Sequence, residues 1–181
     1  MKFTPAPLAG LWIIDPQILQ DHRGYFYESF SLKKFEQATG ERPIFVQDNQ
    51  SRSYHGVMRG LHFQRGEHAQ AKLVRVISGV VQDVVVDIRP DSATFGKSFS
   101  IVLSDENKLQ LFVPKGFAHG FLVLSNTAEF FYKCDNFYAP SHESGLFYDD
   151  PSCEIEWMLS RREMVISEKD LNLRHLNELE R

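Results

Sequence analysis

Short runs rich in Val, Ile, Phe and Leu recur along the chain between turn-forming residues, at positions 73–77, 80–88, 99–103, 109–113, 121–124 and 128–134. Runs of this length and composition, punctuated by Gly, Pro, Asn, Asp and Ser, form β-strands, and a succession of them closes into a sandwich or barrel. Ser78-Gly79 lies between the first two runs as a hairpin turn, and Asp87-Ile88-Arg89-Pro90-Asp91-Ser92 ends the second in loop residues. Helical signals are few. Ser31 can cap a helix over 32–38 with Gly40 after its end. Ser104-Asp105-Glu106-Asn107 suggests a helical turn, and Ser167-Glu168-Lys169-Asp170 has the form of a capping box before a C-terminal segment over 171–179. The pattern predicts a mainly β fold with a few short helices at its periphery and C-terminus.

At 181 residues and 43% hydrophobic, the chain suffices for one well-packed domain over residues 1–181. A net charge of −4, with Lys and Arg scattered, argues against a nucleic-acid or membrane-surface partner. No stretch approaches the roughly 20 apolar residues of a membrane span, and Met1-Lys2-Phe3-Thr4-Pro5 lacks a secretory apolar core. Cys134 and Cys153 have neither metal-type spacing nor the number for a disulfide framework. The expectation is a soluble cytoplasmic protein.

Gly56, five intervening residues and His62 resemble the opening of the first cupin signature, which implies a jelly-roll β-barrel or sandwich. That signature places a second His where this chain has Gln64, and a Glu seven residues before a Gly where this chain has Lys72 before Gly79. A lysine in place of a carboxylate repels a divalent cation and attracts an anion. The expected chemistry is therefore metal-free and acid–base, without a cofactor, on a negatively charged substrate.

Alternation along a strand puts His62 and Gln64 on one face and Leu61 and Phe63 on the other. A lone inward histidine is usually a core residue satisfied by one hydrogen bond; in this setting an imidazole, titrating near about 6.5, is a natural general base. Lys72 shares its strand face with Val74 and Val76. It is either buried for a purpose, as an ammonium that stabilises an enolate oxygen, or solvated in another register. Tyr132 alternates with Phe130 and by pattern alone reads as an aromatic core residue. Asp170 can be no more than the third helical position of its capping box, and spacing does not bring it to His62. Arg23, Arg59 and Lys169 are candidates for phosphate contacts. Strict alternation turns Arg59 away from His62, unless Gly60 breaks it.

Taken in order, longer stretches resemble the dTDP-4-dehydrorhamnose 3,5-epimerase family of cupin-fold enzymes. The likeness runs from Asp21-His22-Arg23-Gly24-Tyr25-Phe26-Tyr27-Glu28-Ser29-Phe30 through Val46-Gln47-Asp48-Asn49-Gln50-Ser51 and Gly56-Val57-Met58-Arg59-Gly60-Leu61-His62-Phe63-Gln64. It continues through Lys72-Leu73-Val74-Arg75-Val76, Val86-Asp87-Ile88-Arg89 and Pro114-Lys115-Gly116-Phe117-Ala118-His119-Gly120 to Phe131-Tyr132-Lys133, Tyr148-Asp149-Asp150-Pro151 and Ser167-Glu168-Lys169-Asp170.

The resemblance implies epimerisation at C3 and C5 of dTDP-4-dehydro-6-deoxy-D-glucose, a step toward dTDP-L-rhamnose. It implies His62 as the base beside the C4 ketone, Asp170 as its dyad partner, Tyr132 as the acid on the opposite ring face and Lys72 as the enolate stabiliser, with His119 nearby. Arg59 would hold the diphosphate, and Arg23, Glu28, Gln47 and Asn49 the nucleotide. Tyr138, Glu143 and Lys169 match further substrate-contacting positions. The family is dimeric with exchanged N-terminal strands, so Arg23 and Glu28 would serve the partner's site.

Two positions depart from the family pattern. Gln82 stands where Phe is expected and Phe112 where Trp is expected; neither is among the proposed catalytic groups, and the sequence leaves their effect on pocket packing and positional selectivity open. Competing readings are an epimerase acting at C3 or C5 alone, a metal-dependent cupin isomerase or oxygenase, and a non-catalytic cupin that binds sugar nucleotides.

Overall fold

The hydrophobic runs become strands that pair into two antiparallel sheets, in a computed structural model that describes residues 1–179. In chain order the elements are β1 (Lys2–Pro5), β2 (Trp12–Asp15), β3 (Leu19–Asp21), β4 (Gly24–Phe26), α1 (Leu32–Thr39), β5 (Gln47–Tyr54), β6 (Val57–Gln64) and β7 (Lys72–Ser78). They continue with β8 (Val80–Asp87), β9 (Ser98–Ser104), β10 (Gln110–Val113), β11 (Phe117–Val123), β12 (Thr127–Cys134), β13 (Glu143–Gly145), β14 (Val165–Ile166) and α2 (Glu168–Leu171). The first sheet has the order β1-β2-β10-β7-β12-β5; the second has the order β13-β6-β11-β8-β9, with β14 added parallel to β6. β3 and β4 form a separate hairpin.

The sheets face each other as a jelly-roll sandwich. Val74, Val76, Leu111, Val113 and Phe130 of the first sheet pack against Val81, Val85, Leu103, Phe121 and Val123 of the second. Both outer faces are partly covered. Phe35 of α1 packs on Leu73 and Phe112, and the C-terminal residues Leu176 and Leu179 pack on Leu61, Val84 and Val86. β8 is thus buried on both faces, which explains its nearly continuous apolar run.

α1 begins and ends as expected, with Ser31 Oγ accepting from the Lys34 amide and Gly40 left-handed at φ 77°. Ser78-Gly79 is not the expected hairpin turn: Gly79 turns sharply at φ 86°, but β7 and β8 pair in different sheets, so the turn is a corner between the sheets. The expected helical turn at Ser104 to Asn107 is present as a single turn, in which the Lys108 amide donates to the Ser104 carbonyl at 3.0 Å and Ser104 Oγ accepts from the Asn107 amide at 2.9 Å. Two further expectations need correction. β11 starts at Phe117, not at 121; Gly120 lies within the strand, paired with Val84 of β8 while the register with β6 shifts around it. The segment 171–179 is not one helix. α2 stops at Leu171, and Asp150 then captures the Leu176 amide at 2.7 Å and His175 Nδ1 at 3.1 Å, drawing the chain onto the second sheet.

Candidate active site

The interior of the sandwich is apolar at one end and polar at the other. Along β7 the inward positions run Lys72, Val74, Val76; along β12 they run Tyr132, Phe130, Ala128. The polar ends meet β5, whose inward residues Gln47, Asn49 and Ser51 carry no apolar group. Across the gap, β6 supplies Arg59 and His62, and β11 supplies His119. Two adjoining cavities of about 280 and 290 Å³ result, and both are lined by Asn49, His62, Lys72 and Tyr132.

His62 does not stand alone. Its Nε2 lies 2.7 Å from Oδ1 of Asp170, while Oδ2 of the same carboxylate accepts from the Gly60 amide at 3.3 Å. Asp170 is delivered by α2, where its own amide is capped by Ser167 Oγ at 3.1 Å. Its backbone therefore closes the cap, as expected, while its side chain turns to the histidine. Burial pushes the Asp170 carboxyl up. The bonds and charge from His62, with those from Gly60 and Ser167, outweigh it and hold the group below the ordinary aspartate value. An ionised carboxylate only accepts, so Nε2 carries the proton and Nδ1 is left as the lone-pair nitrogen.

Gly60 does break the alternation. The β6–β11 register changes between His119↔His62 and Phe121↔Arg59, a bulge that brings Arg59 and His62 to the same cavity. The Gly60–Leu61 peptide bond is cis. Only glycine fits at position 60, where φ is 122° and a Cβ would stand 2.7 Å from Gly120 Cα. Arg59 donates from Nε to Ser53 Oγ at 3.0 Å.

Lys72 projects inward, as the functional reading requires. Its ammonium lies 5.8 Å from the centre of the Tyr132 ring and makes no hydrogen bond or ion pair among the described residues. Burial pushes its pKa down, and the charges of Cys134, Asp83 and Glu143 offset this only in part. Burial likewise pushes the Tyr132 phenol up, keeping it protonated as a donor must be. Beside them, His119 Nε2 pairs at 2.9 Å with Oδ2 of Asp83, a carboxylate with no exposed surface whose Oδ1 has no partner among the described residues.

The cavity mouth is organised by Gln64 and Glu143. Gln64 donates to His68 O at 2.8 Å and Phe137 O at 3.1 Å, and accepts from the Ala139 amide at 2.6 Å. The residue in the second-histidine position of the cupin signature is thus fully used in tying two loops together. Glu143 Oε2 accepts from Tyr138 Oη at 2.8 Å and from Lys169 Nζ at 2.7 Å. Burial raises its carboxyl, and these two bonds more than reverse the effect. Gln47 joins the same rim, accepting from the Tyr138 amide at 3.0 Å and donating to Asn49 Oδ1 at 3.0 Å.

Comparison with known proteins finds relatives over almost the whole chain. The profile of the dTDP-4-dehydrorhamnose 3,5-epimerase family covers residues 5–178. The chain belongs to that family. The Escherichia coli (strain K12) dTDP-4-dehydrorhamnose 3,5-epimerase is 52% identical over 179 residues, covering 99% of this chain and 96% of its own. The crystal structure of the Elizabethkingia anophelis NUHP1 enzyme superposes with a TM-score of 0.95 at 52% identity, covering 98% of this chain and 97% of its own. The Legionella pneumophila Philadelphia 1 epimerase, solved in complex with dTDP-4-keto-L-rhamnose, gives 0.94 at 47% identity, covering 99% and 94%.

In this epimerase the structure gathers Gln47, Asn49, Arg59, His62, Lys72, His119, Tyr132, Tyr138 and Glu143 around the cavities, with Lys169 and Asp170 bonded to Glu143 and His62. It leaves Arg23 and Glu28 outside. Arg23 pairs with Asp21 at 2.6 Å on the exposed β3–β4 hairpin, and Glu28 pairs with Lys34 at 2.8 Å. Gln82 and Phe112, whose effect on the pocket the sequence leaves open, do not line the cavities. Gln82 holds the Glu156 carbonyl and the Met158 amide, and Phe112 packs edge-on against Phe35. Sequence reasoning missed Asp83 and Ser53. An acid inside the apolar run of β8 is the signal that could have exposed Asp83; Ser53 carries none.

Proposed function

We propose that this chain epimerises C3 and C5 of dTDP-4-dehydro-6-deoxy-D-glucose to dTDP-4-dehydro-L-rhamnose, as a step in making dTDP-L-rhamnose. The observation that carries the reading is the His62–Asp170 pair at 2.7 Å facing, across one cavity, a wall that holds both Lys72 and Tyr132.

A proton next to a ketone becomes removable when the enolate oxygen is stabilised. Lys72, desolvated and without an anionic partner among the described residues, is suited to that task. His62 takes the proton through Nδ1, and Asp170 stabilises the imidazolium that forms. Inversion then needs a proton delivered to the other ring face, and Tyr132 on the opposite sheet carries one. Repeating the cycle at the second carbon uses the same groups, because both carbons flank the same C4 carbonyl. Each positioned acid or base contributes about 10² to 10⁴ in rate. No group of three or more His, Cys, Asp or Glu side chains suited to a metal ion occurs among the described residues. At the cupin ligand positions, Lys72 puts an amine where a carboxylate would stand, and Gln64 is committed to backbone groups.

The functional unit in this reading is a homodimer with exchanged N-terminal strands. The exposed hairpin, with Tyr25 and Phe26 uncovered, carries Arg23 toward the partner's nucleotide, with Glu28 following it in the chain. The deciding experiment is proton NMR of the substrate with the enzyme in D2O containing EDTA. Deuterium at both C3 and C5 supports the reading. Deuterium at one carbon points to a single-site epimerase, and binding without exchange leaves a sugar-nucleotide-binding cupin.

A further inference from the structure

The inward row of β5 is polar along its whole length, Gln47, Asn49, Ser51, Ser53, although β5 lies in the sheet whose other inward positions are largely apolar. Gln47 and Asn49 serve the rim and Ser51 lines the cavity, but Ser53 lies beyond it and is only 2% exposed. Burying a hydroxyl is unfavourable unless it is bonded, and its one bond is from Arg59 Nε at 3.0 Å. That bond runs from the second sheet to the first. Arg59 is itself exposed and makes no other side-chain hydrogen bond or ion pair among the described residues.

A guanidinium can grip a phosphate by two edges, one formed by Nε with the nearer Nη, the other by the two Nη nitrogens. With Nε committed to Ser53, only the Nη fork remains free, and the side chain holds one orientation before any ligand arrives. We infer that Ser53 is a positioning residue, which presents the outer fork of Arg59 to the diphosphate of the sugar nucleotide; the inference rests on the function proposed above. Ser53 does not touch the substrate. Its effect is preorganisation: the arginine gives up less rotameric freedom on binding, and a competing, misdirected grip is removed.

The test compares Ser53→Ala, Arg59→Lys and the double variant with wild type, measuring kcat and KM for the sugar nucleotide and the Kd of dTDP and of thymidine by calorimetry. Losing one anchoring bond of this kind corresponds to a roughly three- to tenfold weaker grip. Ser53→Ala should therefore raise KM and the dTDP Kd by that factor, leave kcat and the thymidine Kd within twofold, and add nothing further in the Arg59→Lys background, where Nε is absent. Unchanged dTDP affinity in Ser53→Ala overturns the inference. So does a loss equally large for thymidine, or one that persists beside Arg59→Lys, since either marks general disturbance of the fold. If wild type binds dTDP but turns over no sugar nucleotide, the proposed substrate fails, while the dTDP and thymidine comparison still decides the role of Ser53.

Discussion

Replacing Asp170 with Asn tests whether the dyad sets the histidine tautomer rather than merely filling space. The carboxylate now accepts twice, from His62 Nε2 at 2.7 Å and from the Gly60 amide at 3.3 Å. An asparagine has one accepting oxygen for these two donors. The Gly60 amide can only donate, so it draws the carboxamide oxygen to itself, and the NH₂ group faces the imidazole. His62 then accepts at Nε2 and carries its proton on Nδ1, the nitrogen that should act as base. The reversed amide would restore the tautomer but set two donors against each other at Gly60. Without a working base the expected loss is about 10² to 10⁴ in exchange rate, or roughly 3 to 5 kcal/mol of barrier. The backbone cap from Ser167 is retained, so folding should survive. The assay is deuterium incorporation at C3 and C5 under single-turnover conditions, with dTDP affinity as a control. Exchange within threefold of wild type would refute the tautomer argument. The substitution also removes a depressed carboxyl pKa. That group's stabilisation is present above the ordinary aspartate value and is lost as pH falls through the folded one, so the variant's acid unfolding profile should be flatter.

Three other substitutions have distinct signatures. His62→Ala should abolish exchange at both carbons, whereas Tyr132→Phe should keep part of it and misdirect reprotonation; NMR of products in D2O separates them, and equal losses would sink the two-sided mechanism. Lys72→Met should lower kcat by at least about 10² yet stabilise the fold, because a buried ammonium with a lowered pKa is a liability at neutral pH. In wild type that liability is relieved as pH rises through the folded value toward the ordinary lysine range, so denaturation midpoints should rise there relative to the variant, and kcat should fall over the same window. Gln64→Ala removes three bonds to backbone groups of the mouth loops and should cost about 2 to 4 kcal/mol in urea unfolding; a cost under about 0.5 kcal/mol would show that solvent replaces the carboxamide.

Strand composition and turn residues by themselves determined the β architecture and the capped α1, because burial on a sheet face and a left-handed glycine each leave a local mark. They did not reveal β5, since a strand whose inward residues line a polar cavity loses the alternation by which strands are recognised. The catalytic candidates were legible individually and by resemblance. Their assembly was a tertiary matter. Asp170 reaches His62 across 108 positions of sequence, Asp83 reaches His119 across 36, and one bulge at Gly60 decides that Arg59 shares the cavity. Capping, alternation and propensity act over a few residues, whereas these contacts depend on how two sheets close and which side chains their polar ends bring face to face.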